Sequence, residues 1–352
     1  MSDFDFEDLE GEMQLRWYQD DFQFSGKRVL LLDADYLAYT VGFCSTVEQY
    51  QEYLDGKFDI INKYDHACFL IKDAMRKAGV SAVHLLVTDS ATNFRTKLVE
   101  DYKAQRATEK PPFWKEVKEW VGGRTCTIDS VENEADDMAS ILANEHYAEL
   151  DADGVPREPE AYKLWSRYII GSKDKDVDHV FGWHVDLNTG EHYWVSVLGE
   201  LKPKYKLKEL NDYAVWPTID GLPVDPSLHT GPYDTFSRGA NKGKVKTKRV
   251  CIGKKTEEKL DALKGTGGKF FYAQMIMGDP TDNYFGIPNK GMGAALEALD
   301  HLQSNQDCHD VVWGMYKQAF GEEKAMEAFL LNGRLAWMQR SYHELWGGEI
   351  FW

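Results

Sequence analysis

Apolar residues in this chain fall into short unbroken runs separated by stretches with helical spacing. Val29–Leu32 and Ala82–Thr88 are such runs, as a strand covered on both faces requires. His66–Ala78 repeats its apolar positions at helical intervals, and Gly79 supplies a stop. Pro111-Pro112 introduce a short helix over Phe113–Val121, and Arg124–Ile128 reads as a strand. Ser130 or Asn133 can cap a helix reaching about Leu150, and Leu164–Ile170 is a further strand. This β-α-β order predicts an α/β fold with a mostly parallel central sheet and flanking helices. Phe181–Leu187 and Glu191–Val197 flank Asn188-Thr189-Gly190 as a hairpin. Helical spacing returns at Lys269–Met277, Gly293–Leu302, Asp310–Phe320 and Arg334–Leu345. Residues 199–268, rich in Pro, Gly and Lys, read as irregular, with a basic hairpin near Lys244–Ile252. The expected layout is a tail at 1–26, an α/β core at 27–198, a basic insert at 199–268 and a helical region at 269–352.

Composition narrows the class. The 352 residues are 43% hydrophobic, enough for a sizeable core. No apolar run approaches the roughly 18 residues that span a membrane, and the acidic start lacks the order of a signal peptide. Five scattered cysteines, with no C-x-x-C pair, read as free thiols. A soluble cytoplasmic protein is expected. The formal net charge of −17 argues against a nucleic-acid partner, but the charge is unevenly spread. Residues 1–26 hold eight acids against Arg16, whereas residues 238–259 hold nine Lys and Arg against Glu257 and Glu258. The acidic segment, with its interspersed aromatics, is either a tail packed on the domain or a docking segment for a replication partner.

Candidate chemistry lies at the strand ends. Asp33, Asp89 and Asp174 each follow an apolar run, where α/β sheets place their ligands. Asp176 lies two residues beyond Asp174, on the same side of an extended segment. Glu134, Asp136 and Asp137 open a helix, with more carboxylates than capping needs. Asp279 and Asp282 precede a glycine-rich turn. Carboxylates gathered in one cleft repel each other unless cations neutralise them, and oxygen-only sets suit Mg²⁺ or Mn²⁺. Arg95, Tyr102, Lys103 and Arg106 follow Asp89. They form either a solvated basic face or a phosphate contact with a stacking aromatic. Gly286, Lys290, Gly291 and Gly293 lead into a helix whose N–H groups suit a phosphate. Lys244, Lys246 and Lys248 are candidates for contact with a nucleic-acid backbone.

Five motifs occur in order: DADYLAY, VTDSATNFRTKLVEDYKAQR with KPPFWKE behind it, ENEADDMAS, SKDKD and GDPTDNYFGIPNKGMG. Together they resemble the 5′ nuclease superfamily: flap endonucleases, the 5′ nuclease domain of bacterial DNA polymerase I, and the 5′-to-3′ exonucleases of T-odd phages. The resemblance covers Val29 to about Asn144, Ile169–Asp178 and Ala273–Leu299. It implies a PIN-like domain with a helical arch over about residues 90–121, a helix–three-turn–helix in the C-terminal region, and two Mg²⁺ or Mn²⁺ ions. The motifs carry metal-binding roles onto Asp33, Asp89, Glu134, Asp136, Asp137, Asp174, Asp176, Asp279 and Asp282. They carry catalytic cation roles onto Lys103 and Arg106. Gly286, Gly291 and Gly293 match the DNA-binding turn, where the family often holds K⁺. The implied substrates are duplex DNA with 5′ ends, flaps or nicks, and RNA–DNA hybrid, in phage replication or recombination inside an infected bacterium. Two rival readings are a haloacid-dehalogenase-like phosphatase with Asp33 as nucleophile, and a DNA-structure-binding factor without catalysis.

Overall fold

The computed structural model describes residues 28–88, 93–104, 109–130, 132–153 and 159–351; the acidic segment and what was expected of it lie outside these. Six strands form the main sheet: β1 (Val29–Asp33), β2 (Ala82–Thr88), β3 (Thr127–Ser130), β4 (Tyr168–Gly171), β5 (Gly182–Val185) and β6 (His192–Val195). Their order is β3-β2-β1-β4-β5-β6. All neighbours pair in parallel until β6, which closes the edge antiparallel to β5. The chain steps outward from β1 to β3, then returns to β4 on the other side of β1, so the order reverses between β1 and β4. A crevice at the carboxyl ends of the strands is expected at such a reversal.

The apolar run in β1 explains why this strand is central. Leu30, Leu31 and Leu32 are fully buried, and their side chains alternate between faces. Leu30 and Leu32 join a core with α1 (Asp35–Gly42), α3 (Ile61–Ala78) and α5 (Trp114–Gly122). Leu31 enters a second core with α6 (Ala135–Ala152), Tyr162 and Phe181. α2 (Val47–Leu54) buries none of its residues, and α4 (Phe94–Leu98) is a single short turn. Gly79 ends α3 in the left-handed conformation expected of it.

Several boundaries differ from expectation. Residues Pro159–Trp165 form helix α7, so the strand over Leu164–Ile170 shrinks to β4. Glu134, rather than Ser130 or Asn133, is the residue preceding α6. The C-terminal region is helical, with α8 (Gly267–Met277), α9 (Met292–Leu299) and α10 (Asn305–Ala336), the last interrupted at Gly321. α8 is buried from Gly267 to Ile276, with Lys269 and Gln274 as its charged and amide side chains. The helix expected over Arg334–Leu345 stops at Ala336. Trp337 leaves it in extended conformation, and Trp337 and Trp346 pack on Phe271 with centroids 5.3 and 5.4 Å away. Burying two tryptophans outweighs further helical hydrogen bonds.

The chain divides into two compact units, Met1–Lys202 with Lys264–Trp352, and Pro203–Leu263. Where irregular structure was expected there are two 19-residue strands, β7 (Leu201–Ile219) and β9 (Thr247–Gly265), with β8 (Leu222–Pro223) beside β7. The Thr218 N–H donates to Lys246 O at 3.0 Å at one end of the pair.

Backbone crossing fixes the turn after α8. A Cβ on Gly286 would stand 2.4 Å from Ile276 O and 2.6 Å from Gly278 N. Gly286→Ala should therefore lower stability by about 1–3 kcal/mol, the usual cost of overpacking. Gly314→Ala, in open space within α10, should raise it by about 0.5–1 kcal/mol. Urea unfolding midpoints of both variants check this pair.

Candidate metal and phosphate site

The reversal point between β1 and β4 is where carboxylates gather. Asp33 ends β1, and its Oδ2 accepts from Ser172 Oγ, just past β4, at 2.9 Å. Its Oδ1 accepts from the Asp35 N–H at 3.1 Å. Burial first, then the charges of Asp35 and Asp174, push Asp33 up to about 7. Asp35 accepts from the Thr88 N–H at the end of β2, and Lys118 Nζ on α5 lies 3.7 Å away. Asp136 is raised well above the carboxylate range by burial, then by Asp174, Asp33 and Glu134. Asp174 accepts from the Asp176 N–H at 3.1 Å, the short turn that aims both residues. Asp176, at the start of a 3₁₀ turn, is pushed up to about 7 by burial and then by Asp174. Gln274 Nε2, from the buried helix α8, donates to it at 2.5 Å.

The turn after α8 supplies the remaining acids. Lys175 Nζ stands 2.6 Å from Asp279 Oδ2. Burial works against ionisation of Asp279, but the Lys175 contact and the Thr281 N–H hold it below the usual range. Asp282 accepts from Tyr102 OH at 3.1 Å and lies 3.8 Å from Lys103 Nζ. Lys103 also donates to Glu134 Oε1 at 2.5 Å. It does so from a backbone φ of 56°, uncommon for a side chain of this kind; its own N–H, bonded to Asp282 O at 3.1 Å, holds it there. Asn93 Nδ2 donates to Glu134 at 2.7 Å.

Four expected roles change. Arg95 was expected on DNA but is buried, and its guanidinium forks onto both oxygens of Asp137 at 2.6 and 2.9 Å. It also donates to Leu335 O and Trp337 O. Asp137, expected as a metal ligand, is fully buried by this fork and also accepts from the Gln339 and Glu134 N–H groups. The pair ties α6 to the C-terminal region and has no free oxygen for an ion. Tyr102, expected to stack on a base, is buried with its hydroxyl on Asp282. Gly286 is buried and required by backbone contact, not by a phosphate. Gly291 and Gly293, at the start of α9, face open space, and Lys290 is exposed. Asp89 and Arg106 lie outside the described residues, as does part of the expected arch. Lys244, Lys246 and Lys248 belong to the second unit and are exposed.

Lys118, Lys175, Ser172, Asn93 and Gln274 escaped sequence reasoning. Lys175 offered a signal, since it lies between two of the aspartates, but the sequence suggested a local partner and the structure pairs it with Asp279. Gln274 offered none within its apolar helix.

Oxygen donors only, several of them buried, are the chemistry a hard divalent cation prefers. As they stand, no three His, Cys, Asp or Glu side chains among the described residues are arranged to hold one ion. Lysine ammonium groups stand against Glu134, Asp35 and Asp279 instead.

No protein-family model matches the chain, and no curated protein matches its sequence. Solved structures do match. A structure of the T5 5′-exonuclease with divalent zinc ions bound is 13% identical, over 88% of this chain and 89% of that one, with a TM-score of 0.44. A complex of the bacteriophage T5 flap endonuclease with DNA and metal ions is 11% identical, over 88% and 95%, with a TM-score of 0.42. Likeness at this level does not decide an activity, which has to come from the side chains of this chain.

Two outcomes are expected. Asp137→Asn should cost about 3–5 kcal/mol, because it leaves Arg95 buried with a weakened partner. Asp174→Asn should cost far less, and urea unfolding compares them. The second outcome concerns pH. A carboxyl raised on folding stabilises the fold below its ordinary range, and that contribution is lost as pH climbs through the folded value. Asp33→Asn, measured without metal, should therefore gain stability relative to the parent as pH rises from about 4 to about 7, and level off above it. Paired thermal melts would contradict this if the difference stayed constant.

Proposed function

We propose that this protein is a divalent-metal-dependent nuclease of the 5′ nuclease superfamily, cutting DNA phosphodiester bonds near 5′ termini, flaps and nicks. The observation that carries this reading is the convergence of acids from β1, α6, the end of β4 and the turn after α8, with Lys103 held among them. A phosphatase with Asp33 as nucleophile would leave Glu134 and Asp136 without work.

The donor set divides naturally. Asp33, Asp35, Asp136 and Glu134 form one group and Asp176, Asp279 and Asp282 another, with Asp174 acting electrostatically on both Asp33 and Asp176. Two Mg²⁺ or Mn²⁺ ions bound there would supply an activated water and neutralise the leaving oxygen. The protein's own part is to hold the acids, exclude solvent from Asp136 and Asp176, and present cations. Lys103, Lys118 and Lys175 occupy carboxylates that incoming ions would claim; once displaced, their ammonium groups are placed to meet a phosphate. Lys103 is the strongest candidate, because it bridges Glu134 and Asp282. Gly291, Gly293 and Lys290 would hold duplex phosphates at the start of α9, and K⁺ at that turn belongs to the same proposal. Asp89 and Arg106 keep their proposed roles as ligand and phosphate contact. RNA–DNA hybrid is a further proposed substrate, since phosphate contacts carry no base information.

The test is digestion of end-labelled flap, nicked and blunt duplexes with Mg²⁺ or with EDTA. Metal-dependent release of short 5′-phosphorylated products is expected, and no cleavage of any substrate would end the reading. Asp174→Asn should abolish cleavage while DNA binding stays measurable, and Lys103→Met should lower kcat by about 10²–10³. Lys175→Met removes a competitor for Asp279. Calorimetry should find tighter Mn²⁺ binding in that variant, and weaker binding would show that Lys175 organises the site instead.

A further inference from the structure

We propose that residues 203–263 grip duplex DNA through a row of phosphate contacts at Lys204, Lys206 and Lys208. This deepens the nuclease reading and rests on it for the identity of the partner. The unit holds twelve Lys and Arg against eight Asp and Glu, net +4, whereas the rest of the chain holds 29 against 50, net −21. A positive body in so acidic a chain marks where a polyanion can approach. Within β7 the three lysines recur at every second residue, so they line one face. All three are exposed, and their Cα atoms follow one another at about 6.6–6.8 Å. That spacing suits consecutive phosphates of one strand. Lys244, Lys246 and Lys248 add exposed charge to the same unit.

The ribbon is otherwise poorly covered. Leu207 is 74% exposed, Val215 67% and Ile252 51%, although an isolated strand pair is marginal in water. Leu207 and Val215 lie on the face of β7 opposite Lys204, Lys206 and Lys208, so the lysine face is the one that suits a partner bringing negative charge. One acid lies against the row, since Lys206 pairs with Asp261, so a phosphate at Lys206 takes the place of that carboxylate; Glu209 is held by Lys254 at 2.6 Å. Duplex is favoured over single strand because Tyr205, though exposed, lies on the face of β7 opposite the lysines, and two other rings of the unit carry a cation. Arg249 lies 3.8 Å over the Tyr213 ring and Lys246 5.8 Å from that of Phe236, whereas single-strand binding uses free rings for stacking. A two-stranded ribbon is also of a width that the major groove admits.

The experiment is fluorescence anisotropy of the full-length protein on a blunt duplex in EDTA, where no cleavage is expected, over a salt series. The salt slope should flatten by about 0.9 for Lys204→Gln and by about 2.7 for the triple variant Lys204→Gln, Lys206→Gln, Lys208→Gln. The matching triple Arg variant should bind like the parent. An unchanged slope in both Gln variants overturns the proposal, as does a loss confined to a single-stranded oligonucleotide or an Arg variant as weak as the Gln one. Unchanged slopes in a protein that still cleaves DNA with Mg²⁺ would defeat the ribbon and leave the nuclease reading standing. Flattened slopes in a protein that never cleaves would do the reverse.

Discussion

Bringing like charges together inside a fold is the constraint around which this molecule is organised. Asp33, Asp136 and Asp176 are each driven up by burial and then by neighbouring carboxylates, Asp174 among them in every case. A sheet end that collects such groups is unfavourable unless cations stand close. The fold provides them from distant parts of the chain: Lys103 at a backbone angle few side chains adopt, Lys118 from α5, and Lys175 beside Asp279. Arg95 answers the same constraint differently. Its fork onto Asp137 is complete and dry, so that pair has become a joint between α6 and the segment after α10. One acidic stretch, Glu134–Asp137, thus contains Asp137, held by an arginine fork, and Glu134, which meets the same arginine at 3.6 Å and the Lys103 ammonium at 2.5 Å.

That difference marks the limit of what the sequence could reveal. Buried strands were legible because Leu30–Leu32 cannot be half-exposed, and the order of strands and helices implied a parallel sheet. The acids at strand ends were legible for the same reason, since strand ends define one edge. What spacing could not distinguish was which carboxylate faces a cleft and which faces an arginine. Asp136 and Asp137 are neighbours in sequence, yet one turns toward Asp33 and Asp174 and the other toward Arg95. Asp137 is met by Arg95 from 42 positions away and by the Gln339 N–H from 202, and Arg95 is in turn held by the Leu335 and Trp337 carbonyls. The failed helix over Arg334–Leu345 is the same event seen from the other side. The backbone that a helix would have consumed is needed to donate the Gln339 N–H and to offer the Leu335 and Trp337 carbonyls.

Composition misled at a larger scale. A net charge of −17 describes no surface of this molecule, because the unit 203–263 has the opposite sign from the remainder. Its Pro and Gly content suggested irregular chain, yet lysines alternate with Tyr205 and Leu207 through Pro203–Lys208 in extended conformation. The separation of signs has a physical consequence for any nuclease reading. Acids concentrated enough to hold divalent cations repel the phosphates they are meant to cut, and the ions cancel only part of that field. Attraction for the substrate must then come from cations displayed elsewhere, on a surface carrying few acids of its own. Under that reading, a chain that gathers carboxylates at one sheet edge and lysines along a ribbon would divide two tasks that a single surface performs poorly.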